Sequence, residues 1–323
     1  MMLLAVPNVS EGRDGRLVDA IAAAFAGTGG ARVLDVHFDA DHHRSVYTLV
    51  GPQGSLADAL LAGARVAVES IDVMRAPSPG GELPGQHPYV GAVDVVPVVY
   101  LDEEHRGAAC AEALVVADRI GEELGVPVFL YGELSGDGAV SAGRTRAELR
   151  RGGVEGLLRR MAAEGGEGDG LVPDFGPPRM HPTAGATLVA ARPPLVAFNL
   201  ALAPPAGIER AREIAADLRE GGVAGLAGVR VIAVALSAGV AQVSANVERP
   251  FDVPLAMIVE AVRARAPVAA AELVGLAPQA ALEGFPADVE LVGFDPDRHI
   301  IENALGSIYG PGAANAEDDQ APR

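Results

Sequence analysis

The chain has 323 residues, 49% of them hydrophobic and 21% charged, which suits about two globular domains with sizeable cores. No apolar run approaches the roughly 20 residues a membrane helix needs. The formal net charge is −18 and every one of the 25 basic residues is arginine, so nucleic acid is not expected as a partner. The absence of lysine also removes a Schiff-base cofactor and a phosphate-loop lysine. The one cysteine, Cys110, excludes an intramolecular disulfide, and MMLLAVPNVS lacks the basic and long apolar regions of a signal peptide. The expectation is a cytoplasmic protein with no membrane partner.

In chain order, a first strand at Leu3 to Val6 ends at Pro7, and the loop PNVSEGRDGR follows. Leu17, Ile21 and Phe25 recur at helical spacing until Gly27 to Gly30 stop the helix. Strands are expected at Arg32 to His37 and Ser45 to Val50, joined by the polar hairpin loop FDADHHR. A helix from about Ser55 to Glu69 leads to the Gly- and Pro-rich loop around His87, then to a strand from Val90 to Leu101. This is the β-α-β-β-α-β order of ferredoxin-like domains. A helix from Arg106 to Leu124, a strand at Val128 to Tyr131, and short helices near 146–151 and 154–161 extend it.

Gly165 to Pro182 is dense in Gly, Pro and acids and reads as a linker, with domains at 1–178 and 179–309. An apolar segment at Ala186 to Ala191 then opens a second round. A strand at Leu195 to Leu202, a helix at Ile208 to Leu218, strands at Val229 to Leu236 and Val240 to Val247, a helix at Leu255 to Arg265 and a strand at Ala269 to Leu276 repeat the order. The second hairpin turns through Ser237, Ala238 and Gly239, without charge. Residues 310–323 read as a disordered tail.

The chemistry concentrates in the first round. If FDADHHR and PGQHPY meet at one sheet end, Asp39, Asp41, His42, His43 and His87 come together. A carboxylate beside an imidazole makes a general acid–base pair. The same residues can also be read as a zinc or manganese site, or as a solvated hairpin tip beside a separate loop histidine. PNVSEGR, between a strand and a helix, offers backbone amides to an anion or is a plain turn. Arg192 and Asn199 flank the first strand of the second round.

VPNVSEGR, DADHHRSV, HPYVGAVDVVP, PDFGP, GATLVAAR, AFN, AQVSAN and ELVGLAP, in this order, resemble the formiminotransferase family from Val6 to about Leu305. The resemblance implies an α+β chain with two ferredoxin-like (βαββαβ) subdomains and a cleft between them, without the cyclodeaminase domain of some relatives. It implies a homodimer that moves a formimino group from N-formimino-L-glutamate to N5 of tetrahydrofolate, a co-substrate, with no metal. His87 matches the base, with Asp39 near it. Asn8, Ser10, Glu11, Arg13, Asp41, His42, Arg44, Tyr89, Gly91, Asp94, Arg192 and Asn199 match positions expected to hold substrate or folate. The family pattern HxGEHPR reads LPGQHPY here, with Leu83, Gln86 and Tyr89 as departures, and His43 stands where Asn is usual. The alternatives are a divergent folate-dependent one-carbon transferase, a folate-binding protein without turnover, and a metal-dependent hydrolase using Asp39, Asp41, His42 and His87.

Overall fold

The computed structural model describes residues 1–28, 30–75, 88–136, 143–162 and 170–309. His87 and the expected tail lie outside them. The chain divides into two compact units, Met1–Pro193 and Pro194–Arg323.

In the first unit, β1 (Met2–Ala5) and β2 (Asn8–Val9) lie end to end, followed by α1 (Gly15–Ala26), β3 (Arg32–Asp39), β4 (Arg44–Pro52), α2 (Leu56–Ser70) and β5 (Val93–Val99). The strand expected to stop at Pro7 resumes beyond it. Pro7 has no amide hydrogen, but its carbonyl accepts the Tyr47 amide at 3.0 Å and keeps the ladder running. Neighbouring strands are antiparallel in the order β3, β4, β1/β2, β5. The unit is completed by α3 (Arg106–Leu124), β6 (Val128–Leu130), α4 (Arg146–Leu149), α5 (Gly153–Met161) and β7 (Thr187–Arg192). β7 pairs in parallel with both β5 and β6, extending the sheet.

The side chains of this sheet alternate as a period of two requires. Val189 and Ala191 enter a core with α1, α2 and α3, whereas Leu188 and Ala190 enter another with Leu149 and Leu157 from α4 and α5. α1 begins where the Asp14 carboxylate accepts the Arg16 and Leu17 amides, and it buries Val18, Ile21 and Phe25 on one face. The Phe25 ring sits 5.0 Å from that of Tyr47. It also lies over Gly63 of α2, where a Cβ would come within 2.3 Å of the ring, so the two helices approach closely only with glycine there. Each such fully buried Leu, Val or Phe contributes about 1.5–3 kcal/mol.

Two sequence expectations are corrected. The described part of the supposed linker, 170–182, packs into the first unit. Asp174 and Phe175 bond the backbone of Val128, and the Asp174 carboxylate accepts the Leu130 amide at 2.7 Å. The segment covers the free edge of β6, which would otherwise leave peptide groups unpaired. The apolar run at Ala186 to Ala191 belongs to β7, so it does not open the second round. The compact units therefore part after Pro193, not after residue 178.

The second unit contains β8 (Val196–Leu202), α6 (Ile208–Leu218), β9 (Val229–Ala235), β10 (Ala241–Val247), α7 (Leu255–Arg263) and β11 (Val268–Val274). β12 (Leu291–Val292), α8 (Pro296–His299) and α9 (Ile301–Tyr309) follow. Its strand order is β12, β11, β8, β10, β9. Without β12 this is the arrangement of β5, β1/β2, β4, β3, with the same antiparallel pairings. The chain is thus α+β, with one βαββαβ element order in each unit. Phe198, Leu200, Val243 and Ala245 point into a core with Ile214, Ile258 and Val259 of the helices.

Candidate active site

The antiparallel pairings bring several strand ends of the first unit together. The end of β3 at Asp39 pairs with the start of β4 at Arg44. The end of β2 lies beside them, with Val9 opposite Ser45. Ser10 then crosses to the entry of β5, its amide bonding the Ala92 carbonyl at 2.8 Å and its hydroxyl the Gly91 carbonyl at 2.7 Å. A turn before β7 closes the row, with Gly185 opposite Gly91 and the Ala184 carbonyl accepting the Ala92 amide at 2.8 Å. Gly91 is required here, since a Cβ would lie 1.9 Å from the Ala186 carbonyl oxygen.

The loop 10–14 and the hairpin 39–44 pinch together at Gly12, where a Cβ would stand 2.2 Å from the Asp39 carbonyl oxygen and 2.4 Å from the Arg44 nitrogen. The Gly12 amide donates to Nδ1 of His43 at 3.2 Å, and that ring nitrogen lies 3.6 Å from the Glu11 carboxylate. Asp39 folds the hairpin by accepting the His42 amide at 2.7 Å. His43 has φ +47°, in the left-handed region, where Asn is favoured over most side chains. His42 is buried and His43 half-buried on the same turn.

PNVSEGR does not present a cluster of free amides. The Glu11 carboxylate accepts the Arg13 amide at 2.7 Å and the Asp14 amide at 3.0 Å. Ser10 and Gly12 donate elsewhere, as described, so this loop is closed by its own acid. Arg13 donates from Nε to the Ala40 carbonyl at 3.2 Å.

Beneath the loops lies a buried charge cluster. Asp94, fully buried, accepts Nη1 of Arg44 at 2.8 Å, Nη2 of Arg150, and the Val90 amide at 2.9 Å. Arg44 also donates to the Pro88 carbonyl at 3.2 Å and to Oδ1 of Asn8 at 3.4 Å. Burial alone would push the Asp94 carboxyl up, but the Arg150 and Arg44 guanidiniums and the Val90 N–H outweigh it and hold it below the ordinary carboxylate value. Burial lowers the Arg44 pKa while Asp94 opposes that shift. Burial, then Asp94, raises the Tyr89 hydroxyl. Two guanidiniums share one carboxylate, and among the described residues neither Nε has a hydrogen-bond partner. The cluster grips the backbone at Pro88 and Val90, directly after His87.

Of the residues singled out in the sequence, Asn8, Ser10, Glu11, Arg13, Asp39, Asp41, His42, Arg44, Tyr89, Gly91 and Asp94 lie at or just beneath this sheet end. Arg192 does not. It ends β7 opposite Val99, at the far end of the sheet, because β5 and β7 run parallel. Six strand residues at about 3.3 Å each separate it from the row by roughly 20 Å. Asn199 lies in the second unit, midway along β8, and donates from Nδ2 to the Glu272 carboxylate at 2.9 Å. Arg150 was missed. It follows a one-turn helix with no spacing signal, and only its partner Asp94, far away in sequence, marks it. Among the described residues, no three His, Cys, Asp or Glu side chains form a group that could hold a metal ion, and no helix is long and apolar enough to cross a membrane.

Comparison with known proteins connects this geometry to a family. A model of the formiminotransferase domain, N-terminal subdomain, matches residues 2–192, closely the first compact unit. Glutamate formimidoyltransferase of Streptococcus pyogenes serotype M1 is 34% identical over 308 residues, covering 93% of this chain and 97% of that one. Glutamate formimidoyltransferase of Thermoplasma acidophilum is 33% identical over 308 residues, covering 93% and 96%. Formimidoyltransferase-cyclodeaminase of Sus scrofa is 37% identical over 326 residues, covering 93% of this chain but 56% of that one, so the chain spans about half of the bifunctional relative. With its sheet-end motifs in place and similarity along nearly its whole length, the chain belongs to the formiminotransferase family.

Proposed function

We propose that this chain is a one-carbon group transferase that moves the formimino group of N-formimino-L-glutamate to N5 of tetrahydrofolate, a step of histidine degradation. The observation that carries the reading is the gathering of Asp39, His42, His43 and Ser10 around a backbone that Arg44 and Asp94 hold at Pro88 and Val90. Similarity to two relatives named glutamate formimidoyltransferase, over almost their full length, supports the substrate assignment.

In the reaction, the N5 lone pair of tetrahydrofolate attacks the formimino carbon and forms the new C–N bond. The tetrahedral intermediate collapses by breaking the bond to the glutamate nitrogen. One base takes the N5 proton and the same group returns a proton to the departing amine, so the charges balance without a redox step. An imidazole suits this exchange near neutral pH. His87, which precedes the held Pro88 in the chain, is assigned that role on the family resemblance, which pairs it with Asp39. The reaction as written uses proton transfer and orientation alone. The reading extends to a cytoplasmic homodimer of ferredoxin-like subdomains, supported by the family resemblance and testable by sedimentation.

The test is His87→Asn. Transfer should fall about 10²- to 10⁴-fold, the usual range for a lost acid–base group, while tetrahydrofolate binding and the unfolding midpoint stay near wild type. Wild-type turnover matched by the variant would remove His87 as the base. A wild type that binds tetrahydrofolate and transfers nothing would instead make this a folate-binding protein.

A further inference from the structure

His181 lies in what the sequence presented as a linker, and the proposed reaction does not use it. Its main chain closes a tight turn, its amide donating to the Gly185 carbonyl at 3.0 Å and its carbonyl accepting the Gly185 amide at 3.3 Å. The turn is built into the site end of the first unit. The Thr183 carbonyl accepts the Val73 amide at 2.9 Å, Ala184 bonds Ala92, and Gly185 pairs with Gly91. Counting outward from Ser10, the row passes from β2 to the entry of β5 and then to this turn. Two strand spacings of about 4.8 Å place the turn roughly 10 Å from Ser10, within the reach of one small-molecule substrate.

The ring is fixed in one protonation pattern. Nδ1 accepts the Ala184 amide at 3.0 Å and the Thr183 amide at 3.4 Å. A nitrogen that receives amide hydrogens carries none itself, so the hydrogen of the neutral ring is on Nε2. Burial lowers the His181 pKa, which favours that neutral form. The ring is half-buried, and among the described residues Nε2 has no hydrogen-bond partner. Turn closure does not need an imidazole. The side-chain oxygen of Asn, Asp or Ser caps such amides routinely. What histidine adds is a rigid N–H donor on the opposite side of the capping atom.

We propose that His181 is a specificity-determining residue of this site, donating its Nε2–H to an acceptor oxygen of a bound substrate, a carboxylate or carbonyl. The proposal rests on the transfer reading above. The oxygen can belong to the one-carbon donor or to the folate, and separate KM measurements tell which.

Two variants divide the two nitrogens. His181→Asn puts an oxygen where Nδ1 accepts and leaves nothing where Nε2 donates. His181→Gln puts an amide near the Nε2 position and leaves the turn uncapped. With the Asn variant, kcat and Tm should stay near wild type while KM for one substrate rises about three- to tenfold, the range for one neutral hydrogen bond. The Gln variant should lower Tm and largely keep KM. If His181→Asn leaves both KM values unchanged in an active enzyme, the imidazole only caps its turn and the proposal is overturned, with the transfer reading intact. A second measurement needs no turnover. Nitrogen-15 spectra of the free wild type at neutral pH, with His181→Asn supplying the assignment, should show the Nε2–H tautomer. A charged ring or an Nδ1–H tautomer overturns the proposal. A wild type that neither binds nor transfers would sink the transfer reading and this proposal together.

Discussion

In the first unit the β3–β4 connection carries Asp39, Asp41, His42, His43 and Arg44, while in the second the β9–β10 connection turns through Ser237, Ala238 and Gly239. Both turns need a residue in the left-handed region. The second supplies it with Gly239 at φ +79°, and the first uses His43 at φ +47°. A hairpin of this kind therefore closes without any charged side chain. The carboxylates and imidazoles of the first turn are not demanded by the sheet, and a histidine, which has a Cβ, is a less comfortable choice than glycine at that φ. The contrast continues along the row. Where the first unit has Ser10, Gly91 and the His181 turn, the ends of β8 and β11 carry Ala203 and Pro267, joined backbone to backbone at 2.8 Å. One frame is used twice, and at this hairpin the titratable groups stand on the first copy alone. The polar residues of the second unit sit instead along its strands, as with Asn199 and Glu272.

This contrast is broken most severely at Asp94. Asp94→Asn would leave the Arg44 and Arg150 guanidiniums buried without their counter-charge, and should destabilise the fold by about 3–5 kcal/mol in urea titrations at neutral pH. The pH dependence follows from the direction of the shift. The folded Asp94 pKa is depressed, so its contribution is fully present above the unfolded value of about 3.9 and is lost as pH falls through the folded value. The Asn variant should lack that component of acid destabilisation. Equal stability of variant and wild type at neutral pH would show that the cluster is not held by this carboxylate.

A smaller effect is expected from paired glycine changes, one in each unit. Gly91→Ala drives a Cβ into the Ala186 carbonyl and should destabilise by about 1–3 kcal/mol, as overpacking does, while lowering transfer because the β5 entry shifts. Gly239→Ala meets open space and only the strain of its positive φ, about 1–2 kcal/mol, with transfer unchanged. Loss of transfer in the second variant would show that the uncharged hairpin takes part in the chemistry. The smallest effect should come from Ala238→Asp, on the exposed tip of that hairpin. Stability should stay within about 0.5 kcal/mol of wild type and kcat/KM should not change. A clear fall in kcat/KM would again contradict the assignment of chemistry to the first copy.

Much of the frame was legible in the sequence because its signals are local. The helices at 106–124 and 208–218 begin and end where the apolar spacing placed them. Both hairpins appeared where alternation broke at turn residues. The motifs naming the family could likewise be read segment by segment. The run at Ala186 to Ala191 was recognisable as apolar, but nothing within it said which sheet it would join. Its partners, Val95 to Val99 and Val128 to Leu130, are distant in sequence, and parallel pairing leaves no turn signature between them.

By itself, then, the sequence determined the α+β class, the repeated element order, the concentration of acids and imidazoles in the first half, and the family. Periodicities of two and 3.6 residues and short motifs record these, since each depends on neighbours along the chain. Only the tertiary structure decided that the first unit runs to Pro193, that Glu11 occupies the amides of its own loop, and that Arg192 stands at the wrong end of the sheet for the site. It also brought Arg150 to Asp94 across 56 positions and stood His181 beside the entry of β5. Such contacts arise when strands pair and buried charges find counter-charges. Those are long-range events, set by packing and desolvation, and they leave no local pattern in the chain.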